Sequence, residues 1–366
     1  MIKEKKTVLL GMSGGVDSSV AALILKKEGY RVIGAFMKNF SDTKNKLTGE
    51  CAWQEEKAMA QKIAAMLEIP LIIIDSEEEY KKEVVDPMFK AYAKGFTPNP
   101  DVLCNKLIKF PVLWKKAQEL GVDYIATGHY VRIRKSSKGY EMLRGKDDYK
   151  DQSYFLYELN EKDLEHTLFL MGEYTKEEVR KIAKKNGFYN WDKKGTSGVC
   201  FIGKIDMKHF LKQRIKEKKG NVVNMEGEVV GTHPGSMFFT IGERVGSKYG
   251  IEIDRKIRNM TGKKLYIADK RKGNVLVVAP SGHKALKRNK VFIRELHLIN
   301  KKEKINGKGL RARIRHLGSL NKGILKKNKG RWIFTFAKPI EGIAEGQSIV
   351  FYKGEKVIGG GEMRVK

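Results

Sequence analysis

The residues Ser13-Gly14-Gly15-Val16-Asp17-Ser18 stand between two patterned runs. Before them, Thr7 to Met12 is short, apolar and β-branched; after them, Val20, Leu23, Ile24 and Lys27 recur at helical spacing. Glycines at a strand-to-helix turn let backbone N–H groups close on a phosphate, and the helix N-terminus adds partial positive charge. A glycine turn without a ligand is the alternative, and the strand–loop–helix context favours the phosphate. The loop lacks the Gly-Lys-Ser/Thr ending with which a Walker A loop reaches the β and γ phosphates. Two thiols could do further chemistry. Cys104 lies in Thr97-Pro98-Asn99-Pro100-Asp101-Val102-Leu103-Cys104-Asn105-Lys106, where the prolines argue for an extended, accessible loop. Lys106 and Lys109 follow it, and nearby cations favour thiolate. Cys200 sits in Gly198-Val199-Cys200-Phe201-Ile202-Gly203, behind Lys193 and Lys194, and is also expected to be exposed. Cys51, near the start of an amphipathic helix, reads as a small core residue.

The elements around these residues alternate through the first half. Strands are expected at Tyr30 to Met37, Leu71 to Asp75 and from Asp123, with helices at Ala52 to Leu67, Glu77 to Lys94 and Pro111 to Leu120. Apolar strands alternating with helices predict a doubly wound parallel sheet, an α/β fold whose ligands bind at the carboxyl ends of strands. The glycine loop, Met37, Asp75 and Thr127-Gly128-His129 all fall at such ends. After about Lys219 the pattern changes to short β runs separated by turn signals, including Met237 to Ile241, Leu310 to Ile314 and Arg331 to Phe336. These predict two small, mainly β modules, the last a β-barrel. Domains are accordingly expected at 1–207, 208–285 and 286–366.

The 366 residues carry 73 Lys+Arg against 43 Asp+Glu, a formal net charge of +30. Such a balance suits a polyanion, most often nucleic acid, although a lysine-rich solvated surface would also produce it. Alternation in Leu310-Arg311-Ala312-Arg313-Ile314-Arg315 would place three arginines on one face as a phosphate-tracking stripe. Three cysteines without zinc-ligand spacing exclude a disulfide scaffold and predict a reducing, cytoplasmic setting. No apolar run is long enough to cross a membrane as a helix.

The loop resembles the SGGxDS loop of the ATP pyrophosphatase superfamily. Taken with Asn-Pro-Asp-x-x-Cys-Asn at 99–105, Ala126 to Tyr130, Lys150-Asp151-Gln152-Ser153-Tyr154-Phe155-Leu156 and Gly198 to Gly203, the chain resembles the tRNA-specific 2-thiouridylase family over nearly its whole length. That resemblance implies replacement of the C2 oxygen of the wobble uridine by sulfur, in tRNAs for lysine, glutamate and glutamine. It implies ATP, with Mg²⁺, at Gly11, Met12, Ser13, Gly14, Gly15, Val16, Asp17, Ser18, Met37 and Gly128. It implies a persulfide on Cys200, loaded by a cysteine desulfurase or sulfur relay protein, and Cys104 as the nucleophile that ends in a transient disulfide with it. Asp101 would touch the base or manage a proton, and an Asx-type turn is an equally good reading of its side chain. Contacts to tRNA are implied for Asn99, Pro100, Asp101, His129, Lys150, Asp151, Gln152, Arg315, His316 and Gln347.

Two stretches depart from the family pattern. Arg315-His316 stands where the family usually has Arg-Tyr, and Gly242-Glu243-Arg244-Val245-Gly246-Ser247 replaces a Gly-Gln-Arg-Lys-Gly-Leu stretch. The introduced acid, Glu243, is expected to weaken an RNA contact. Rival readings are another SGGxDS enzyme, such as an amidotransferase-type synthetase or a thiolase acting at a different tRNA position, or a non-catalytic RNA-binding protein; none explains the paired cysteines as well.

Overall fold

The computed structural model describes residues 5–41, 52–193, 206–254, 263–303, 305 and 309–365. Cys51 and Cys200 lie outside the described residues, and so do Lys194 to Ile205 around Cys200.

Strand β1 (Thr7–Gly11) leads through the glycine loop into α1 (Val16–Lys27), followed by β2 (Arg31–Lys38), α2 (Ala52–Met66), β3 (Leu71–Asp75) and β4 (Tyr124–Thr127). All strand pairs in this sheet are parallel, in the order β3-β2-β1-β4 and then Thr167–Phe169. The pleat sends alternate residues to opposite faces. Leu9, Ala35 and Ile125 join one core with Tyr80, Met88, Phe110 and Leu113. Val8, Leu10 and Ala126 join a second with Val20 and Ala21 of α1, Ile63 of α2, and Val179 and Ala183 of the Lys176–Lys185 helix. Helices cover both faces, so the sheet is doubly wound.

The second half is β-rich. One five-stranded sheet contains Gly220–Val223, Val229–His233, Glu252–Ile253, Leu265–Arg271 and Val275–Pro280. Six further strands close into a barrel, because Lys287–Leu298 pairs with both Arg331–Glu341 and Lys356–Arg364. The hairpin Val131–Ser136/Gly139–Arg144 reaches from the first half to this barrel, with Leu143 opposite Lys356. The Lys356 ammonium there bonds Glu141 at 2.9 Å and Glu303 at 2.7 Å.

Three expectations fail. Residues 100–104 are not an extended loop: Pro100–Cys104 is a helical turn, followed by a π-helical turn Asn105–Lys109 and the helix Phe110–Glu119. Pro100 occupies the first helical position, where a missing N–H costs nothing, and Asn99 Oδ1 accepts from Val102 N–H at 3.4 Å. Met237 to Ile241 is not a strand; a 3₁₀ turn, Ser236–Phe238, stands at its start. The arginine stripe breaks because the strand ends at Arg313, whose side chain turns inward. Arg311 and Arg315 are exposed, whereas Arg313 is buried and bonds Asp151 at 2.6 Å.

Candidate active site

The glycine loop is braced by its own polar groups. Ser18 Oγ donates to the Gly15 carbonyl at 3.0 Å and accepts from Ser13 N–H at 3.3 Å, while Ser19 Oγ also donates to Gly15. Asn190, almost fully buried, donates to the Gly14 carbonyl and to Ser19 Oγ, both at 3.0 Å. Gly14 has φ +70°, and a Cβ there would overlap the Glu56 carbonyl oxygen, so only glycine fits. Gly128, just past β4, comes close in the same way: its Cβ would meet Ser18 N at 3.0 Å. Met12 and Met37 are buried at the ends of β1 and β2, Val16 is buried in the first turn of α1, and Ser13 is exposed at the mouth of the loop.

Asp17, in that first turn, is the acidic side chain of the loop. It accepts from Tyr130 Oη at 2.6 Å and from Lys176 Nζ at 2.6 and 2.8 Å. Burial first, then the Asp17 carboxylate, push the Tyr130 phenol well above its ordinary value, so it stays a donor. Burial also raises the Glu56 carboxyl beside the loop. No group of three or more His, Cys, Asp or Glu suited to a metal occurs among the described residues. Asp17 is a single carboxylate whose two oxygens both face Lys176, so a Mg²⁺ held here would take its place at that carboxylate and draw its other ligands from phosphate oxygens and water.

Residues 95–104 form a strap that ends in the Pro100–Cys104 turn and is held by the rest of the molecule. Thr97 N–H donates to the Glu345 carbonyl at 2.8 Å, and Gln347 Nε2 donates to the Thr97 and Pro98 carbonyls at 3.1 and 3.0 Å. Thr97 Oγ1 lies 3.1 Å from Thr240 Oγ1, and Lys270 Nζ donates to the Gly95 carbonyl at 2.9 Å. Burial depresses the Lys270 ammonium to about 8. The Arg364 guanidinium covers the Phe96 ring at 3.9 Å.

The strap delivers Asn99, Pro100 and Asp101 to Cys104. Contrary to expectation, Cys104 is fully buried, in the same core as Ile108, Leu113 and Tyr154. The helical turn carries it inward, and Asn105 Nδ2 locks that turn to the Asp101 carbonyl at 3.0 Å. Of the two lysines that follow it, Lys106 pairs with Glu158, and Lys109 Nζ lies 3.5 Å from His129 Nε2. Asp101 is half-buried.

The remaining residues assigned to RNA by resemblance divide in two. Lys150 and Arg315 are exposed. His316 is half-buried, its ring 4.3 Å from Phe155, and burial holds it down at about 4. His129 is buried, shares a 2.8 Å hydrogen bond with Thr127 Oγ1 and stacks on Phe110; burial and then Lys109 keep it neutral. Asp151 is fully buried and accepts from Arg144, Arg313, Gly145 N–H and Ser153 N–H. Gln152 Oε1 accepts from Tyr130 N–H at 2.9 Å. The side chains of Asp151, Gln152 and Gln347 thus brace the protein itself. Glu243 does not face a phosphate unopposed: Lys208 Nζ donates to it at 2.6 Å, and it caps Thr240 N–H at 3.0 Å.

Sequence reasoning missed Lys176, Asn190 and Thr240. Lys176 follows an N-cap threonine and Asn190 a solvent-facing tyrosine, so local pattern says nothing of the loop they serve.

Sequence models of three domain families match in succession: a tRNA methyl transferase HUP domain over 6–204, a tRNA methyl transferase PRC-barrel domain over 208–280, and an aminomethyltransferase β-barrel domain over 288–363. A tRNA-specific 2-thiouridylase of Geobacillus kaustophilus is 40% identical, covering 97% of this chain and 95% of that protein. Those of Christiangramia forsetii and Chlamydia felis are 37% and 38% identical, covering 97% and 98% of this chain and 99% and 98% of theirs. A 4-thiouridine synthetase–RNA complex aligns at a TM-score of 0.35 and 18% identity, covering 57% of this chain and 50% of that one. Kinship at this level over the full length, with a braced glycine loop and a clamped Asn-Pro-Asp-x-x-Cys strap in one molecule, places the chain in the tRNA-specific 2-thiouridylase family.

Proposed function

We propose that this protein is an ATP-dependent tRNA-uridine 2-sulfurtransferase acting on the wobble base. The observation that carries the reading is the pairing of a preformed phosphate loop, Gly11 to Ser18, with a strap bearing Asn99, Pro100, Asp101 and Cys104 that both β modules grip. A uracil carbonyl oxygen leaves poorly, so it must be activated; attack of the C2 oxygen on the α phosphate of ATP forms the adenylated base and breaks the bond to pyrophosphate. The loop holds the phosphates, Gly128 and Met37 line the nucleotide end, and Asp17 would hold Mg²⁺, which offsets phosphate charge when bound. Asp101 meets the base.

Cys200 receives persulfide sulfur from a cysteine desulfurase or relay protein. The Cys104 thiolate attacks the Cys200 sulfur that carries the terminal one, forming a Cys104–Cys200 disulfide and expelling hydrosulfide. That hydrosulfide attacks C2 and displaces AMP, and an external thiol returns both cysteines to the reduced state. Because Cys104 is buried, tRNA docking must shift the Pro100–Cys104 turn before transfer. The π turn beside it is a place where a helix can change register. Exposed Lys150, Arg311 and Arg315 suit RNA phosphates, with His129 and the Phe155–His316 pair nearer bases. Acceptors are tRNAs for lysine, glutamate and glutamine, in the cytoplasm. Domains 1–207, 208–285 and 286–366 divide the labour between chemistry and docking.

Incubation with tRNA, ATP and a persulfide-loaded desulfurase should yield AMP, pyrophosphate and 2-thiouridine by nucleoside mass spectrometry. Stoichiometric ADP, or unmodified tRNA, would overturn the reading.

A further inference from the structure

The glycine loop ends in Asp-Ser with no lysine, yet the transfer it would support puts negative charge on a departing pyrophosphate. The fold brings a lysine to it from 159 residues away. Lys176 opens the Lys176–Lys185 helix, whose N-cap Thr175 forms a capping box with Glu178. Its own N–H donates to Asp147 at 2.9 Å. Its ammonium lies across both Asp17 oxygens and 5.9 Å from the Tyr130 ring centre, with the side chain 13% exposed. Its backbone is anchored and its ammonium has a partner, so the cation stands beside the loop before any ligand arrives. One turn further on the same face, Arg180 acts electrostatically on Tyr130, and its Nε is buried without a hydrogen bond.

We propose that Lys176, with Arg180 behind it, binds the β,γ-phosphate end of ATP and holds the pyrophosphate leaving group. This rests on the reading of the Gly11–Ser18 loop as an ATP site. A Walker lysine reaches the phosphates from the loop's own helix; here a second helix, packed on α1 through Val179 and Ala183, supplies the charge. Asp17 then serves as the resting partner of Lys176, which turns from carboxylate to phosphate when nucleotide enters. A cation already stationed beside the loop is most useful as the α–β bond breaks, because charge then grows on the bridging oxygen.

The rival role for Lys176 is as a counterion to Asp17 only, and replacing Lys176 in a background without the Asp17 charge separates the two. Binding of inorganic pyrophosphate, ATP and AMP is measured by calorimetry in EDTA for the wild type, Asp17→Asn, Asp17→Asn/Lys176→Met and Asp17→Asn/Lys176→Arg. In the Asp17→Asn background there is no carboxylate charge to neutralise, and no unpaired acid is left to disturb folding. The expected result is that Lys176→Met weakens pyrophosphate and ATP at least about tenfold there, leaves AMP within about twofold, and is partly rescued by arginine. Equal pyrophosphate affinity for Asp17→Asn and Asp17→Asn/Lys176→Met would reduce Lys176 to a counterion and overturn the proposal. A wild type that binds neither ATP nor pyrophosphate would instead overturn the reading of the loop.

Discussion

The glycine loop and the Thr97–Cys104 strap lie in one α/β unit, but they are held in opposite ways. The loop is satisfied from within its own unit: Ser18, Ser19 and Asn190 brace its carbonyls, and Glu56 packs so closely on Gly14 that no side chain fits. The strap is held from outside, by Gln347, Glu345 and Arg364 of the barrel region and by Thr240 and Lys270 of the central module. Its thiol is buried. The loop proposed to bind nucleotide is therefore preformed, and the strap proposed to transfer sulfur is held by the two β modules. On the proposed function, ATP can be held before tRNA arrives, whereas adenylation and transfer both wait for the base.

The comparison breaks most sharply at Cys104. Cys104→Ser should abolish 2-thiouridine while labelled persulfide still loads and accumulates on Cys200, whereas Cys200→Ser should block loading itself; peptide mass spectrometry distinguishes them. Full multiple-turnover activity in Cys104→Ser would remove the strap from the transfer step. On the loop side, Gly14→Ala must push the loop off Glu56 and should cost about a hundredfold in turnover, with tRNA affinity unchanged. ATP consumption assayed beside filter binding checks both.

Gln347→Ala should lower thiolation about tenfold, because two hydrogen bonds to the strap are lost, while pyrophosphate affinity stays as in the wild type. Equal losses in both would mean that strap and loop are one unit. The smallest effect is expected at His316. Burial lowers its folded-state value to about 4 from 6.5, so as pH falls through that window the unfolded chain takes up the proton first and stability is lost. His316→Phe should recover on the order of 1 kcal/mol at pH 5 and little at pH 7, read from urea midpoints.

The sequence carried the first half well because its strands are apolar and β-branched, and its glycine loop has local meaning. Leu71–Asp75 lies where the pattern places it, and α1 starts at Val16, at the end of the loop itself. The second half was harder. Asn321–Asn328 pairs on both sides as a barrel strand, yet Asn-Lys-Gly-Ile-Leu-Lys-Lys-Asn is too polar to announce itself. Arg313 shows the limit of alternation. Period two predicts an outward side chain, but the strand ends there and Asp151, 162 residues earlier, draws the guanidinium inside. Cys104 shows the same limit, since the prolines read as helix-avoiding also begin a helix when the second is its first residue. Motifs named the chemistry of the site; long-range partners decide which of those residues stand ready and which are held back.

The central claim is that the thiol of the strap is closed until RNA arrives while the loop stands ready. Alkylation of Cys104 by iodoacetamide, followed by peptide mass spectrometry, tests it directly. The account predicts slow labelling in the protein by itself and with ATP, and a rise of at least about tenfold with unmodified substrate tRNA. Labelling at the rate of an exposed thiol without tRNA, or no change when tRNA is added, would contradict it.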